Sequence, residues 1–130
     1  MVFGTFDGLH FGHHNFFRQA RKYGDYLIVV VARDKTVKKV KKHLPRLKEK
    51  QRLVALKNCE LANKAALGGI SDPYQIIKKI KPDVICLGYD QKAFIKDLPG
   101  ALAKFGLKTK IRRLKPYKAE KYHSSLMNKK

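Results

Sequence analysis

A run of seven apolar residues from Tyr26 to Ala32 constrains the fold more than any other stretch of the chain. It is rich in β-branched residues and carries no charge, which is typical of a central parallel strand covered on both faces. A short apolar start over residues 1–3 and a helical pattern precede it. The beginning of the chain therefore predicts a strand–helix–strand unit, and with it an α/β fold.

The rest of the chain alternates in the same way. Apolar runs bounded by Gly or Pro predict further strands over residues 61–67, 84–87 and 108–114, the last as an exposed edge strand. Helical spacing predicts helices over residues 48–58, 73–80 and 100–105. We expect one Rossmann-like α/β domain over residues 1–130, with a mostly parallel sheet of about five strands flanked by helices.

Two of the predicted helices carry apolar residues that we expect to face the sheet. In the helix after residue 10 these are Phe16, Phe17, Ala20 and Tyr23, and Gly24 is expected to end the helix. In the helix over 48–58 they are Leu53, Val54 and Leu56.

The cysteines and the apolar runs indicate a cytoplasmic protein. Cys59 and Cys86 lie far apart without a CxxC partner, so we expect both to be reduced and packed. The longest apolar run is too short to span a bilayer, and no signal peptide precedes the first motif. We therefore expect no membrane partner.

The charge is the unusual part of the composition. Thirty Lys and Arg residues against ten Asp and Glu give a formal net charge of +20, which attracts polyanions. The charge gathers in Lys35–Lys48, where Pro45 argues against a long helix, so we expect a basic and mobile loop. Lys39 and Lys41 could close over an anionic ligand, with Lys38 and Lys42 as alternates, although a solvated surface is the default for such a run.

The segment Gly4–His13 is the best candidate for a functional site. Its glycines at positions 4, 8 and 12 allow a tight turn and a close approach to a ligand. If a helix begins near Phe11, then His10 and His13 lie beside the free N–H groups of its first turn, where anions bind. We expect both imidazoles to be neutral and to donate one N–H each to phosphate oxygens.

The same ten residues, Gly-Thr-Phe-Asp-Gly-Leu-His-Phe-Gly-His, resemble the signature of the HxGH nucleotidyltransferases, the cytidylyltransferase-like family. The resemblance implies transfer of a nucleoside monophosphate from ATP or CTP to a phosphorylated acceptor, with release of pyrophosphate. It also implies a homodimer and a triphosphate that arrives as its Mg²⁺ complex, without a dedicated protein metal site. The competing interpretation is a helix cap with two surface histidines.

Three other segments resemble the same family. Glu49–Arg52 is similar to its Glu-x-Gln-Arg, with a surface arginine as the alternative, and His123-Ser124-Ser125 is similar to its second serine motif, with a plain helix cap as the alternative. Ala32–Lys39 and Leu87–Gln91 resemble the archaeal-type FAD synthases, which transfer AMP from ATP to FMN. Glycerol-3-phosphate cytidylyltransferases typically place Trp where this chain has Gln91.

Carried over residue by residue, the resemblance implies two groups of site residues. The catalytic group is His10, His13, Lys39 and Lys41. The nucleotide-binding group is Gly4, Thr5, Phe6, Asp7, Gly12, Arg52, Gly88, Asp90, Gln91, His123, Ser124 and Ser125.

Two alternatives stay open. The donor could be CTP and the acceptor a small phosphorylated alcohol. A basic module could instead bind RNA through Lys38–Lys48 and the tail, but such binders interleave aromatic with basic residues, and only Tyr117 and Tyr122 are so placed. The chain starts three residues before Gly4 and continues for five after Ser125, which is short for the family, so it is either minimal or trimmed.

Overall fold

The computed structural model describes residues 1–69, 72, 74–88 and 96–115. Within these residues helices and strands alternate along the chain. In chain order they are β1 (Val2–Gly4), α1 (Phe11–Arg21), β2 (Ile28–Val31), α2 (Asp34–Lys41), α3 (Glu49–Lys57), β3 (Lys64–Leu67), α4 (Gln75–Ile80), β4 (Val84–Leu87), α5 (Leu98–Lys104) and β5 (Lys110–Arg113).

The strands form one parallel sheet in the order β3-β2-β1-β4-β5. Strand β1 lies in the centre, with Val2 in register with Val29 of β2 on one side and with Cys86 of β4 on the other. Strands β2 and β3 extend the sheet on one side of β1. The chain then crosses back, and β4 and β5 extend the sheet on the other side of β1. Ligands of such sheets bind beyond the carboxyl ends of the strands at this reversal. The predicted α/β class and parallel sheet are confirmed.

The side chains of β2 show why the sheet needs helices on both faces. Val29 and Val31 pack on one face with Phe17 of α1 and Leu56 of α3. Val30 faces the other way and packs in a second cluster, which includes Ile77 of α4. All three valines are at most 2% exposed, as the continuous apolar run predicts.

Several of the predicted boundaries hold, but the prediction that Tyr23, Tyr26 and Val54 face the core is wrong. Helix α1 begins at Phe11 and β4 covers 84–87, both as predicted. Tyr26 is 59% exposed because it lies before β2, which begins at Ile28. Val54 is 55% exposed because Leu53 and Leu56, three residues apart, already define the inner face of α3. Tyr23 lies beyond the end of α1 and is 47% exposed.

The basic segment is also corrected. Residues 34–41 form helix α2 rather than a loop, and the loop is limited to residues 42–48, which we call the connector. Asp34 lies in the first turn and lysines in the last, which suits the helix dipole. Val37 alone is buried, at 2% exposed. Lysine is a good helix former, so one apolar anchor suffices where the apolar pattern is weak.

The thiols lie in the core. Cys86 is 2% exposed, and Cys59 packs against the cluster that contains Cys86. Both are free cysteines, and their predicted packing is confirmed. In the part of the chain that the structure describes, every helix is too short or too polar to cross a membrane.

Candidate active site

The turn from β1 into α1 has an unusual backbone, which the sequence explains at Gly8 but not at Phe6. Phe6 and Gly8 have positive φ angles, 53° and 99°, and only glycine adopts such values freely. The ring of Phe6 is 5% exposed and packs beside the rings of His13 and Phe17, with centroids 5.3 and 5.4 Å away. The predicted contact of the Phe6 side chain with nucleotide therefore does not fit this structure. Phe6 supports the site from the core side, where its ring packs against His13.

Glycine at position 4 makes room for that ring. A Cβ atom at Gly4 would lie 2.7–3.0 Å from three atoms of the Phe6 ring. Since the ring is buried, it has nowhere to move without repacking.

We therefore expect Gly4→Ala to lower the free energy of unfolding by about 1–3 kcal/mol, the usual cost of overpacking. Gly100→Ala is the matched control, because a Cβ atom there meets nothing within 4 Å and the position is helical. The control should be neutral or slightly stabilising. Denaturant unfolding of both variants measures the difference, and equal stabilities would contradict the packing argument.

The two histidines are held by the backbone at the start of α1. His10 is the N-cap residue, and its Nδ1 accepts a hydrogen bond from the Gly12 N–H at 3.0 Å. The His10 N–H in turn donates to Nδ1 of His13 at 3.3 Å. The rings stack with centroids 3.9 Å apart. Because both Nδ1 atoms accept, each neutral ring carries its hydrogen on Nε2.

The surroundings also fix the charge of the rings. Burial lowers the pKa of His13 to about 4, assisted by His10, His14 and Lys41, while a hydrogen bond to the Gly8 carbonyl opposes the shift. The pKa of His10 is lowered by burial and by His14. Both rings are therefore neutral at pH 7, as predicted. The effect of Lys41 on His13 also places the end of α2 within electrostatic range of α1.

The lowered pKa of His13 links folding to pH. Between about pH 6.5 and pH 4 the unfolded chain binds a proton at His13 that the folded chain does not. The free energy of unfolding should therefore fall as the pH drops through this window.

His13→Asn should make that loss smaller, because asparagine does not titrate. Denaturant unfolding at pH 7, 6, 5 and 4 measures it, with His43→Asn as the control, since His43 is exposed. An identical pH dependence in wild type and His13→Asn would show that His13 is not held neutral.

Asp7 binds the connector. Its two carboxylate oxygens accept hydrogen bonds from the N–H groups of Arg46 and Leu47, at 2.6 and 2.7 Å. Partial burial acts to raise the pKa of Asp7, but these N–H groups and the charges of Arg46 and Arg52 outweigh it, and the pKa is lowered. The sequence predicted that Asp7 lines the nucleotide pocket. In the structure its oxygens are already engaged with backbone.

Arg52 is buried, so the alternative of a surface arginine is wrong. Its side chain is fully enclosed, and direct contact with nucleotide does not fit this position either. The guanidinium donates to the carbonyl oxygens of Thr5, Ala32 and Leu47, and to Oδ1 of Asp34 at 2.7 Å. It therefore connects the end of β1, the end of β2, the connector and the start of α2.

Two acidic residues extend this network, and the sequence analysis did not assign them a role. Glu49 accepts from the Asp34 N–H at 2.8 Å and pairs with Arg33 at 3.0 Å. Arg33 also donates to the carbonyl of Gly68 after β3. For Glu49 the sequence held one signal, its place in the segment Glu49–Arg52, and nothing indicated the link to Asp34, because α2 was not predicted.

The remaining predicted site residues fall into three groups. Gly88 directly follows β4, and its carbonyl accepts from Arg113 at 3.3 Å. Lys39 and Lys41 are exposed in the last turn of α2, and Lys41 is the one in electrostatic range of His13. The rest lie outside the described residues, namely Asp90, Gln91, His123, Ser124 and Ser125.

Residues 1–130 match the profile of the cytidylyltransferase-like family. The chain belongs to that family. It is 44% identical over 117 residues to the FAD synthase of Aciduliprofundum boonei, which covers 90% of this chain and 78% of the relative.

A solved structure is also similar. It is the lipopolysaccharide core biosynthesis protein from Thermoplasma volcanium GSS1, with a TM-score of 0.83 and 38% identity, covering 90% of this chain and 95% of that one. The family, the fold and the nucleotidyltransferase class predicted from the sequence are confirmed.

Proposed function

We propose that this chain transfers AMP from ATP to FMN, which forms FAD and releases pyrophosphate. The similarity to the archaeal FAD synthase supports this choice of donor and acceptor. So does the segment Leu87–Gln91, which resembles the corresponding segment of that group. We also propose that it acts as a single domain and a homodimer, and that it works in the cytoplasm.

The observation that carries the proposal is the pair of neutral, stacked imidazoles at the start of α1. They lie just beyond the carboxyl end of the central strand β1, next to the reversal of the sheet. Parallel sheets bind nucleotides at this place. The backbone bonds to both Nδ1 atoms leave Nε2 as the donor atom of each ring, and in His13 this N–H interacts with the Gly8 carbonyl, which a phosphate oxygen would have to replace as acceptor.

The reaction requires position and charge stabilisation more than covalent chemistry. A phosphate oxygen of FMN attacks the α-phosphorus of ATP, and the bond from that phosphorus to the bridging oxygen of the pyrophosphate breaks. Negative charge grows on the α-phosphate and on the departing pyrophosphate. His10 and His13 would donate to these oxygens as neutral groups, and Lys39 and Lys41 would neutralise the polyphosphate.

The other assignments from the sequence complete the pocket. We propose that the backbone at Gly4, Thr5 and Gly12 borders the phosphates, and that Gly88, Asp90 and Gln91 line the base or the acceptor. His123, Ser124 and Ser125 would hold the outer phosphates. Asp7 and Arg52 would act indirectly, because their side chains are engaged with the protein itself.

We propose that a magnesium ion arrives with the nucleotide. The described residues contain no cluster of three or more histidine, cysteine or acidic side chains able to hold a metal. Asp7, the acidic residue of the first motif, uses both oxygens on backbone N–H groups. When bound, Mg²⁺ would neutralise phosphate charge, held mainly by phosphates and water.

The direct test is pyrophosphate release by the purified chain with ATP or CTP, each against FMN and glycerol 3-phosphate. We expect release with ATP and FMN, with FAD identified as the product. His10→Ala and His13→Ala should each lower turnover roughly 100-fold or more, as expected for loss of a transition-state donor.

His43→Ala is the control and should keep wild-type turnover, because His43 is exposed in the connector. Turnover only with CTP and glycerol 3-phosphate would replace the proposed substrates. Near wild-type turnover in both active-site variants would mean that the site is wrong.

Chelation provides a separate prediction. EDTA should abolish transfer because the triphosphate loses its cation, while the melting temperature of the free protein stays unchanged. Excess Mg²⁺ should restore activity. A large drop in melting temperature on chelation would instead reveal a structural metal.

A further inference from the structure

We infer that Arg52 is a positioning residue for the transfer reaction, which sets the place of α2, and so of its lysines, relative to the histidines of α1. The inference rests on the proposed function and deepens it. It starts from an arginine that is fully buried and yet lies between the segments that carry the proposed catalytic groups.

The contacts of the guanidinium link those segments directly. One Nη1 bridges the carbonyl oxygens of Thr5 and Ala32, both at 2.8 Å, which ties the ends of β1 and β2 together. Nη2 donates to the carboxylate of Asp34, in the first turn of α2. The first motif and α2 are therefore held by opposite sides of the same planar group.

A second contact set fixes the connector at the other end of α2. Nε of Arg52 donates to the Leu47 carbonyl at 3.0 Å, while Asp7 accepts from the Leu47 N–H. Helix α2 is thus anchored at its start through Asp34, and the connector that follows it is anchored at Leu47, six residues after Lys41. Arg52 makes both of these contacts.

This arrangement matters because the lysines are at the exposed end of α2. Lys39 and Lys41 project from its last turn, and their distance from His10 and His13 depends on where the helix lies. In-line transfer is sensitive to such placement, and a misplacement of about 1 Å can reduce rate roughly 100-fold. Lysine cannot replace arginine here, because one ammonium cannot reach acceptors that lie on three sides of the planar guanidinium.

The test is a double-mutant cycle between Arg52→Lys and the pair Lys39→Met/Lys41→Met. We expect Arg52→Lys to lower kcat at least about tenfold, with KM for ATP and FMN within about threefold of wild type. Once α2 is misplaced, replacing Lys39 and Lys41 should lower kcat by a much smaller factor than it does in wild type. A role limited to stability predicts independent effects that multiply.

Ile77→Val is the matched control, because Ile77 is also fully buried but lies on the other face of the sheet. It should leave kcat unchanged and should combine multiplicatively with the lysine pair. Asp34→Asn tests the same link if Arg52→Lys folds poorly, and it should show the same non-multiplicative behaviour. Melting temperatures of all variants separate folding from rate.

A substrate-free measurement separates this inference from the proposed function. In amide NMR spectra, Arg52→Lys should shift the resonances of Thr5, Leu47 and α2 together and leave α4 unchanged. Changes confined to the neighbours of position 52 in sequence would overturn the inference, as would multiplicative kinetic effects. Lack of FAD formation by wild type would overturn the proposed function alone.

Discussion

One buried guanidinium holds together the end of the sheet where the site lies. Carbonyl groups at the ends of parallel strands need hydrogen-bond partners once they are covered, and Arg52 supplies them for Thr5 and Ala32. Its charge is balanced by Asp34 in the shortest ion pair of the described residues, at 2.7 Å. Removing one partner of a buried pair typically lowers the free energy of unfolding by about 3–5 kcal/mol, whereas the intact pair adds little stability compared with apolar residues. The network is therefore better suited to fixing one geometry than to adding stability.

The orientations of the two histidine rings are also fixed, in this case by backbone hydrogen bonds. Each ring uses Nδ1 to accept a backbone N–H of the helix start, so the helix cap and the orientation of the candidate catalytic groups are one structure. A neutral imidazole at this place still has one N–H, on Nε2, as a hydrogen-bond donor. Phe6, held in a left-handed conformation, supports His13 from the core side. Backbone strain of this kind costs about 1–3 kcal/mol and concentrates at functional sites.

Local patterns in the sequence were enough for the sheet and for the first motif. The run around Val30 predicted cover on both faces, and the helical pattern after His10 predicted a helix start near Phe11. Most partners of Asp7 and Arg52 could not be predicted, because they are backbone groups 20–47 residues away whose identity no side-chain pattern encodes. Helix α2 was missed because a single valine, Val37, anchors it. The roles of Asp90, Gln91 and Ser124 stay predictions, since they lie outside the described residues.

The strand order has a consequence for how the chain folds. Strands β1, β2 and β3 are neighbours within the first 67 residues, so this half forms from contacts that are close in sequence. Strand β1 has only three residues, and its other edge stays unpaired until β4, more than 80 residues later, joins it. Such distant pairings slow folding and expose strand edges meanwhile. We therefore expect the crevice between β1 and β4 to form last, when the two halves of the sheet meet.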